Sequence, residues 1–402
     1  MNIADIPVSR RALLRAAMLA AATSSVGRAA GTLAGPLGSG TPLDPVGTWH
    51  ALDLAATGFL SLPACLNGQE FRAMIDTGAS RSIVRHDLAL DLNLPYIGSV
   101  VATTFSDTVT GNLYRVDDLA VDAAAFRRVD VASYDLSQVE GLAGHRIPLI
   151  LGQDVLRAID LEVRFEADQA RFLSPHQSEA AGFERIGLQG AGRKFPCLPI
   201  RLERHISDRA ILDLGSDAPL SMSIDFARHF DLLRDRPVST TLSYGADGTS
   251  VNRIITVQDV QIGPFSLREV PTCVVENWEM AEPVAIGWPA LSRLTARISL
   301  ARDLLSLQGD MERVAMPFPK DRSGLGCQRL ADLMMVRHVA MNSPAGRAGL
   351  REGDQIVAIN GQAVGPGFPH PGERFGFGTA GSRLKLSLSD GRIIPLVLND
   401  YF

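Results

Sequence analysis

The sequence predicts a mainly β protein that consists of two similar halves and a smaller C-terminal unit. From about Leu60 onward, short apolar runs rich in Val, Ile, Leu and Thr alternate with Gly, Asn and Asp, which is typical of β-hairpins. A motif centred on an aspartate occurs twice, and later landmarks repeat at nearly the same spacing. With 402 residues, the chain is long enough for two or three domains, each with its own core.

The composition is that of a globular protein, because 46% of the residues are apolar and 21% are charged. No run of 18 uninterrupted apolar residues occurs in the sequence, so we expect no stable membrane span. The formal net charge of −5 argues against nucleic-acid binding and against docking on anionic lipid.

The first 30 residues predict a twin-arginine-type signal peptide. Arg10 and Arg11 precede a short, alanine-rich apolar run that ends in small residues, and cleavage is expected between about Ala22 and Ala34. An amphipathic cytoplasmic helix or a disordered N-terminus is the alternative. We therefore expect export to the periplasm of a bacterium, or secretion. Residues 31–46 are rich in Gly, Pro and Ser and are interpreted as a linker.

The cysteines and histidines indicate no metal centre. Four cysteines are too few for a disulfide scaffold, although an oxidising compartment would allow one or two bridges that the sequence does not assign. They are Cys65, Cys197, Cys273 and Cys327. No CxxC, HExxH or paired-histidine spacing is present, so we predict no metal and no cofactor. No GxSxG motif is present, which argues against a serine hydrolase.

The internal repeat defines the two halves. "FRAMIDTGASRSIV", which contains Asp76, has a partner in "DRAILDLGSDAPLSM", which contains Asp213. Further along, "PLILGQDVL" has a partner in "PVAIGWPAL", and the glycines of the two segments, Gly152 and Gly287, follow their own aspartates by 76 and 74 residues. These matches predict a duplicated domain of roughly 125 residues.

Two further glycines extend the repeat. Gly111 and Gly248 each lie 35 residues after their own aspartate, within text that predicts a hairpin. We therefore expect a glycine-tipped hairpin in each half.

These motifs resemble those of the retropepsin-like aspartic proteases, over both halves of about residues 47–309. The resemblance implies two pseudo-symmetric acid-protease lobes, over residues 47–175 and 176–310, which face each other across a cleft. Each lobe of such a protease contributes one catalytic aspartate, here Asp76 and Asp213. Viral members of the family assemble the pair in a homodimer, whereas pepsin-like members assemble it within one chain.

A pair of carboxylates suits peptide hydrolysis because two carboxylates about 3 Å apart cannot both ionise and share one proton. The ionised member can then activate water while the other acts on the scissile carbonyl. The resemblance implies that other positions support the active-site loops or form flaps over the substrate. The loop positions are Thr77, Gly78, Ser80, Gly215, Ser216, Gly152 and Gly287, and the flap candidates are Gly111, Tyr244 and Gly248.

The second motif departs from the family pattern at one position. Leu214 replaces the hydroxyl residue that cross-bonds the two loops in the family, so Thr77 is expected to lack a symmetric partner. Asp217 adds a nearby carboxylate whose role the sequence does not explain.

Residues 323–402 resemble a PDZ domain. The resemblance rests on Asn342-Ser343-Pro344-Ala345, on Gly353-Asp354 and on Ile359-Asn360-Gly361. It also implies a carboxylate-binding loop formed by Gly324, Leu325, Gly326 and Cys327, on which a peptide C-terminus adds a strand to the sheet. Residues 365–381, which would form the second wall of the groove, are too rich in Gly and Pro for a helix. Peptide binding and a structural role therefore both stay open.

The fold class predicted is thus mainly β, with two pseudo-symmetric retropepsin-like lobes and a C-terminal PDZ domain. The function predicted is that of a monomeric aspartic endopeptidase that needs no cofactor and acts on polypeptide. A decayed pseudoprotease that binds peptide, and a protease active only as a homodimer of lobe 1, are the alternatives.

Overall fold

The protein is described by a computed structural model that is mainly β, as the sequence predicts. It describes residues 47–402 except 53, 55–57, 105–107, 123, 138–139, 141–145, 176, 178–180, 190–193, 246–247 and 370–373. The predicted signal peptide (1–30) and linker (31–46) lie outside the described residues. No helix in the described part is long and apolar enough to cross a membrane.

The first lobe contains a seven-stranded sheet. The strands of this sheet are β2 (Ser61–Leu66), β3 (Gln69–Ile75), β4 (Ile83–Arg85), β5 (Tyr96–Thr103), β6 (Thr108–Val121), β7 (Ala124–Tyr134) and β8 (Leu149–Leu151). Three further strands of the lobe lie outside it: β1 (His50–Ala51), β9 (Asp160–Arg164) and β10 (Gln169–Leu173). Two short helices, α1 (His86–Asp91) and α2 (Gln153–Leu156), follow β4 and β8. The order within the sheet is β2-β3-β8-β4-β7-β6-β5.

The second half repeats this arrangement. Its strands are β11 (Glu184–Gly187), β12 (Cys197–Leu202), β13 (His205–Asp213), β14 (Leu220–Ser223), β15 (Ser239–Gly245), β16 (Gly248–Ile262), β17 (Phe265–Val275), β18 (Val284–Gly287), β19 (Thr295–Ser299) and β20 (Leu304–Gln308), with helix α3 (Ile224–His229) after β14. Its seven-stranded sheet has the order β12-β13-β18-β14-β17-β16-β15. Strand for strand, this is the order of the first sheet, which confirms two pseudo-symmetric lobes.

A third sheet joins the lobes. Its order is β1-β10-β9-β19-β20-β11, and the antiparallel pairing of β9 with β19 crosses from one lobe to the other. Arg297 on β19 and Asp160 on β9 form a buried ion pair with an Nη2–Oδ2 distance of 2.9 Å, and Arg302 also donates to this carboxylate. Breaking a buried pair leaves an uncompensated charge, so this contact disfavours separation of the lobes. The main hydrophobic core is continuous across both lobes.

The C-terminal unit is a separate small sheet with its own core. Helix α4 (Met311–Val314) precedes it, and its elements are β21 (Leu325–Arg329), β22 (Met334–Val339), α5 (Pro344–Arg347), β23 (Gln355–Ile359), β24 (Gln362–Ala363), β25 (Arg383–Leu388) and β26 (Ile393–Val397). The strands β21-β22-β23-β25-β26 form the sheet, and β24 pairs with β23. Between β24 and β25, the described residues contain a single 3-10 turn, Phe375–Phe377, instead of an α-helix. This agrees with the Gly and Pro content of the segment.

Candidate active site

Two buried carboxyl groups meet where the lobes face each other. Asp76 follows the end of β3 and Asp213 ends β13, and both side chains are fully buried. Asp76 Oδ1 accepts hydrogen bonds from the backbone N–H groups of Gly78 (2.7 Å) and Ala79 (3.0 Å). Asp213 Oδ1 accepts the equivalent bond from Gly215 (3.0 Å). Each carboxyl is thus oriented by its own loop, while Oδ2 of each is buried without a hydrogen-bond partner among the described residues.

The glycine of each loop makes room for the carboxyl of the other lobe. A Cβ on Gly78 would lie 2.7 Å from Asp213 Oδ1, and a Cβ on Gly215 would lie 2.5 Å from the carboxyl carbon of Asp76. Real Cβ atoms do not approach other atoms this closely. Any larger residue at either position would therefore push the two carboxyl groups apart.

The two carboxyl groups hold a proton more tightly than exposed aspartates do. Burial raises the pKa of Asp76 to about 7, although the N–H groups of Ala79 and Gly78 favour its charged form. Burial and the neighbouring charge of Asp76 raise the pKa of Asp213 well above its ordinary value. At neutral or mildly acidic pH, the pair therefore keeps at least one proton, and the groups titrate as a unit.

Thr77 links the two active-site loops from one side. Its hydroxyl donates to the carbonyl of Leu212 (2.6 Å) and accepts from the backbone N–H of Leu214 (3.0 Å). Leu214 offers no hydroxyl in return, and its side chain is fully buried in the main hydrophobic core. Apolar packing thus replaces the second half of the symmetric link.

The two downstream glycines support the loops in equivalent ways. A Cβ on Gly152 would lie 2.5 Å from the carbonyl carbon of Arg81, and one on Gly287 would lie 2.3 Å from the carbonyl oxygen of Ala218. Each glycine thus lets its strand pack against the loop that carries the aspartate. Next to Gly152, the Gln153 side chain donates to the carbonyl of Thr77 (3.0 Å), a contact that the sequence analysis missed.

The two serines of the loops lie close to the aspartates. Ser80 is half-buried and directly follows Ala79. Ser216 is buried. Its hydroxyl donates to the carbonyl of Ala218 (3.4 Å) and accepts from the backbone N–H of the same residue (3.2 Å). Its backbone N–H lowers the pKa of Asp213 and partly offsets the effect of burial.

Each lobe carries a hairpin, but one predicted tip is wrong. Gly111 lies inside β6, opposite Val100, and not at the turn between β5 and β6. A Cβ there would lie 2.4 Å from the ring of Tyr134, so this glycine accommodates a packed aromatic ring. Gly248 does adjoin the tip of its hairpin, with φ of 112° and Gly245 as its partner. The shared 35-residue spacing is therefore a coincidence.

Tyr244 connects the second hairpin to the active-site loop. It lies on β15, packs against a hydrophobic cluster of lobe 1, and its hydroxyl contacts Asp217 Oδ2 at 3.5 Å. The guanidinium of Arg374, from the C-terminal unit, contacts the same oxygen at 3.4 Å. The charge of Asp217 and burial both raise the pKa of Tyr244, so its hydroxyl stays protonated. Asp217 thus joins the loop, the hairpin and the C-terminal unit, and Arg374 is a residue that the sequence analysis missed.

The predicted carboxylate-binding loop of the C-terminal unit is bonded to a carboxylate of its own chain. Asp321 Oδ2 accepts from the backbone N–H of Gly324 (2.6 Å), and the Ser323 hydroxyl accepts from that of Leu325 (3.1 Å). Gly324 has φ of +75°, as the tight loop requires. Two of the N–H groups expected to hold a peptide C-terminus are therefore already satisfied, with a negative charge beside them.

The C-terminal unit also rests on the second hairpin. Thr240 on β15 bonds the ring of His338 (2.9 Å) and accepts from the backbone N–H of Met341 (3.0 Å). Leu242 lies against Gly326, where a Cβ would be 3.1 Å from the leucine Cβ. Of the loop residues, Gly326 therefore faces the protease lobe, while Cys327 joins the core of the C-terminal unit.

No group of three or more His, Cys, Asp or Glu side chains in the described residues is arranged to hold a metal ion. All four cysteines belong to the described residues, and none of them forms a disulfide there.

Two family models match parts of the chain. Residues 62–155 match the model described as aspartyl protease, and residues 335–367 match the model of the PDZ domain. The chain therefore contains an aspartyl protease domain and a C-terminal PDZ domain. The protease match lies within the lobe that carries Asp76, and the second lobe shares the strand order of the first. No curated protein matches the chain.

Proposed function

We propose that this protein is an aspartic endopeptidase whose catalytic pair, Asp76 and Asp213, comes from two lobes of one chain. The observation that carries the proposal is the reciprocal fit of the loops, in which each glycine, Gly78 and Gly215, clears space for the carboxyl of the opposite lobe. A lone turn-forming aspartate needs no such space. Two fully buried carboxyl groups are costly to a fold, and they are typical of a site where proton transfer is needed.

The chemistry follows from one proton shared by the pair. The ionised carboxylate accepts a proton from water as the water oxygen attacks the scissile carbonyl carbon, and the protonated carboxyl donates to the carbonyl oxygen. Collapse of the resulting gem-diol breaks the C–N bond. The carboxyl that took a proton from water passes it to the departing amine nitrogen, and the carboxylate that gave up its proton takes one back from a diol hydroxyl as the new carbonyl forms. The two Oδ2 atoms, which accept no hydrogen bond from the described residues, are the oxygens suited to these transfers.

The loss of one hydroxyl at Leu214 does not argue for a decayed enzyme. Thr77 still bonds both Leu212 and Leu214 across the interface, and Leu214 adds buried apolar contact at the same place. The pairing of β9 with β19 and the buried Arg297–Asp160 pair hold the lobes together within one chain. These contacts favour a monomeric enzyme over a homodimer of lobe 1.

The PDZ domain is proposed to act as a fixed part of the protease. Its contacts with Thr240, Leu242 and Asp217 place it on the second hairpin, and Asp321 occupies part of its carboxylate loop. Export by the twin-arginine signal is proposed from residues 1–30 alone.

A digest of a peptide library by the wild type and by Asp76→Asn tests the proposal. We expect endoproteolysis by the wild type between about pH 3 and 8 and none by a folded Asp76→Asn variant, because a single carboxyl cannot act as base and acid together. Asp91→Asn makes the same exchange at an exposed aspartate, the last residue of helix α1, and should retain cleavage. Absence of cleavage by the wild type, together with retained peptide binding, would instead identify a peptide-binding scaffold.

A further inference from the structure

The surface beside Asp76 in lobe 1 is apolar. A second hydrophobic cluster covers the face of the lobe 1 sheet opposite the main core, next to the active-site loop and beneath the β5–β6 hairpin. Its members include Met74, Ala79, Ile83, Ala102, Ala132 and Ile150, with Val109 packed against them. Tyr134 adds its ring, and its hydroxyl makes no hydrogen bond within the described residues. This set of mostly buried residues, against which Tyr244 of the lobe 2 hairpin also packs, is called the lobe 1 surface.

The registers of the two sheets identify the equivalent positions in lobe 2. Ile83 pairs with Ala132 on β7, and Ser221 pairs with Cys273 on β17 in the same way. On the hairpins, Ala102 pairs with Val109, and Ser243 pairs with Ser250. Gly111 corresponds to Asn252, because Leu113 pairs with Ala132 on β7 as Ile254 pairs with Cys273 on β17. These five lobe 2 residues form the lobe 2 surface: Ser221, Ser243, Ser250, Asn252 and Cys273.

The lobe 2 surface is polar and internally bonded. The Asn252 side-chain amide donates to Ser243 (3.2 Å) and to Ser250 (3.1 Å), and the Ser243 hydroxyl contacts the thiol of Cys273 at 3.7 Å. Asn252 and Cys273 are buried, whereas both serines of the hairpin are half-buried. Directly beside Asp213, the equivalents of Met74 and Ile150 stay apolar, as Ile211 and Ala285. The lobes therefore differ at the hairpin and at the strand beneath it.

A substrate would meet both surfaces at once. The carboxyl pair lies at the junction of two pseudo-symmetric lobes, so the residues on the two sides of a bond held there face opposite lobes. Successive side chains of an extended chain also point in opposite directions. A site built to hydrogen-bond a substrate group rejects an analogue that lacks the group much more strongly than an apolar pocket rejects an added hydroxyl.

Resting on the proposed function, we infer that this protease prefers substrates with an apolar side chain on one side of the cleaved bond and a small hydrogen-bonding side chain, such as Ser, Thr or Asn, on the other. The lobe 1 surface binds the apolar side chain. The lobe 2 surface, which carries serine hydroxyl groups and the side-chain amide of Asn252, binds the polar one. The preference is therefore asymmetric, although the fold is pseudo-symmetric.

Grafts of lobe 1 residues onto lobe 2 test the inference. Ser221→Ile and Ser243→Ala each introduce the residue that lobe 1 carries at the equivalent position, and Ile83→Ser is the reciprocal graft. The wild type and the three variants are used to digest one peptide library, and the residues on both sides of each cleaved bond are determined by mass spectrometry.

For the wild type, we expect cleavage sites with apolar residues enriched on one side and Ser, Thr and Asn on the other. Each lobe 2 graft should shift the polar side toward apolar residues by roughly tenfold in relative cleavage rate. Ile83→Ser should weaken the preference on the apolar side only. Ser243→Ala removes a single half-buried oxygen, so it keeps the test informative if Ser221→Ile unfolds.

Cleavage by the wild type with equal apolar preference on both sides would overturn the inference and leave the proposed function standing. Cleavage profiles that the grafts leave unchanged would do the same. Absence of any cleavage by the wild type would overturn the proposed function itself, and with it the inference.

Discussion

Replacing Thr77 by valine tests how the two loops are held together. Valine is close to isosteric with threonine but removes the hydroxyl that donates to the carbonyl of Leu212 and accepts from the N–H of Leu214. Both backbone groups belong to fully buried residues, so each loses its partner away from water. An unsatisfied buried group costs about 1–3 kcal/mol. We therefore expect Thr77→Val to lower the free energy of unfolding by about 2–6 kcal/mol, a large part of a typical total of roughly 5–15 kcal/mol.

The same change should impair catalysis, because the lost bonds fix the spacing of the carboxyl pair. A misplacement of about 1 Å can reduce a rate by roughly 100-fold. Urea unfolding and steady-state peptide hydrolysis measure the two effects. Thr272→Val is the matched control: its hydroxyl makes one local bond, to the carbonyl of Val270 (3.0 Å), and does not cross between the lobes. The control should lose about 1 kcal/mol of stability and keep its kcat.

Equal effects of Thr77→Val and Thr272→Val on stability and on kcat would show that the Thr77 hydroxyl does not hold the two loops together. In that case the apolar packing of Leu214 alone would hold the interface.

Three further predictions concern the carboxyl pair and its surroundings. Gly215→Ala should abolish hydrolysis, because the added Cβ would lie 2.5 Å from the carboxyl carbon of Asp76. Gly187→Ala is the control and should be neutral, because a Cβ added there would have no atom within 4 Å. Near-normal hydrolysis by Gly215→Ala would contradict the close approach of the two loops. Because the pKa of Asp76 is raised to about 7, folding favours its protonated form, so the free energy of unfolding should fall as the pH rises from about 4 through 7. Over the same range kcat should rise, because Asp76 must ionise to accept a proton from water while Asp213, whose pKa is raised well above its ordinary value, keeps its proton. The slope of stability against pH should be smaller in Asp76→Asn, and an unchanged slope would show that this group is not the cause. Arg374→Gln should change the free energy of unfolding by less than about 1 kcal/mol, because the arginine side chain is half-exposed. It should still raise KM for peptides, because it loosens the contact of the C-terminal unit with Asp217. An unchanged KM would exclude a role of this contact in substrate binding.

Much of the fold could be predicted because the sequence contains an internal repeat. The two copies of the aspartate motif and of the downstream glycine motif mark positions where backbones approach closely, and such positions need glycine whatever surrounds them. Gly152 and Gly287 were found in this way. Gly111 and Gly248 share only a spacing, and the pairing of β6 with β7 and of β16 with β17 shows that Gly111 corresponds to Asn252 instead.

The contacts between domains could not be predicted from the sequence. Arg374 lies in a segment rich in Gly and Pro, 157 residues from the Asp217 that it contacts. A long-range contact of this kind depends on how the domains dock, which local patterns do not encode. The pairing of Asp321 with the N–H of Gly324 is local, but it has no distinctive sequence signal either, since a lone aspartate before a glycine-rich loop is common in turns.

The rate of peptide hydrolysis by Asp213→Asn shows most directly whether one chain supplies both carboxyl groups of the pair. A pair formed within one chain requires both carboxyl groups, so this variant should be as inactive as Asp76→Asn while it keeps the wild-type fold and monomeric mass. Substantial hydrolysis by Asp213→Asn, above all with a rate that rises with the square of the protein concentration, would contradict the account and would point to a pair formed by Asp76 from two chains.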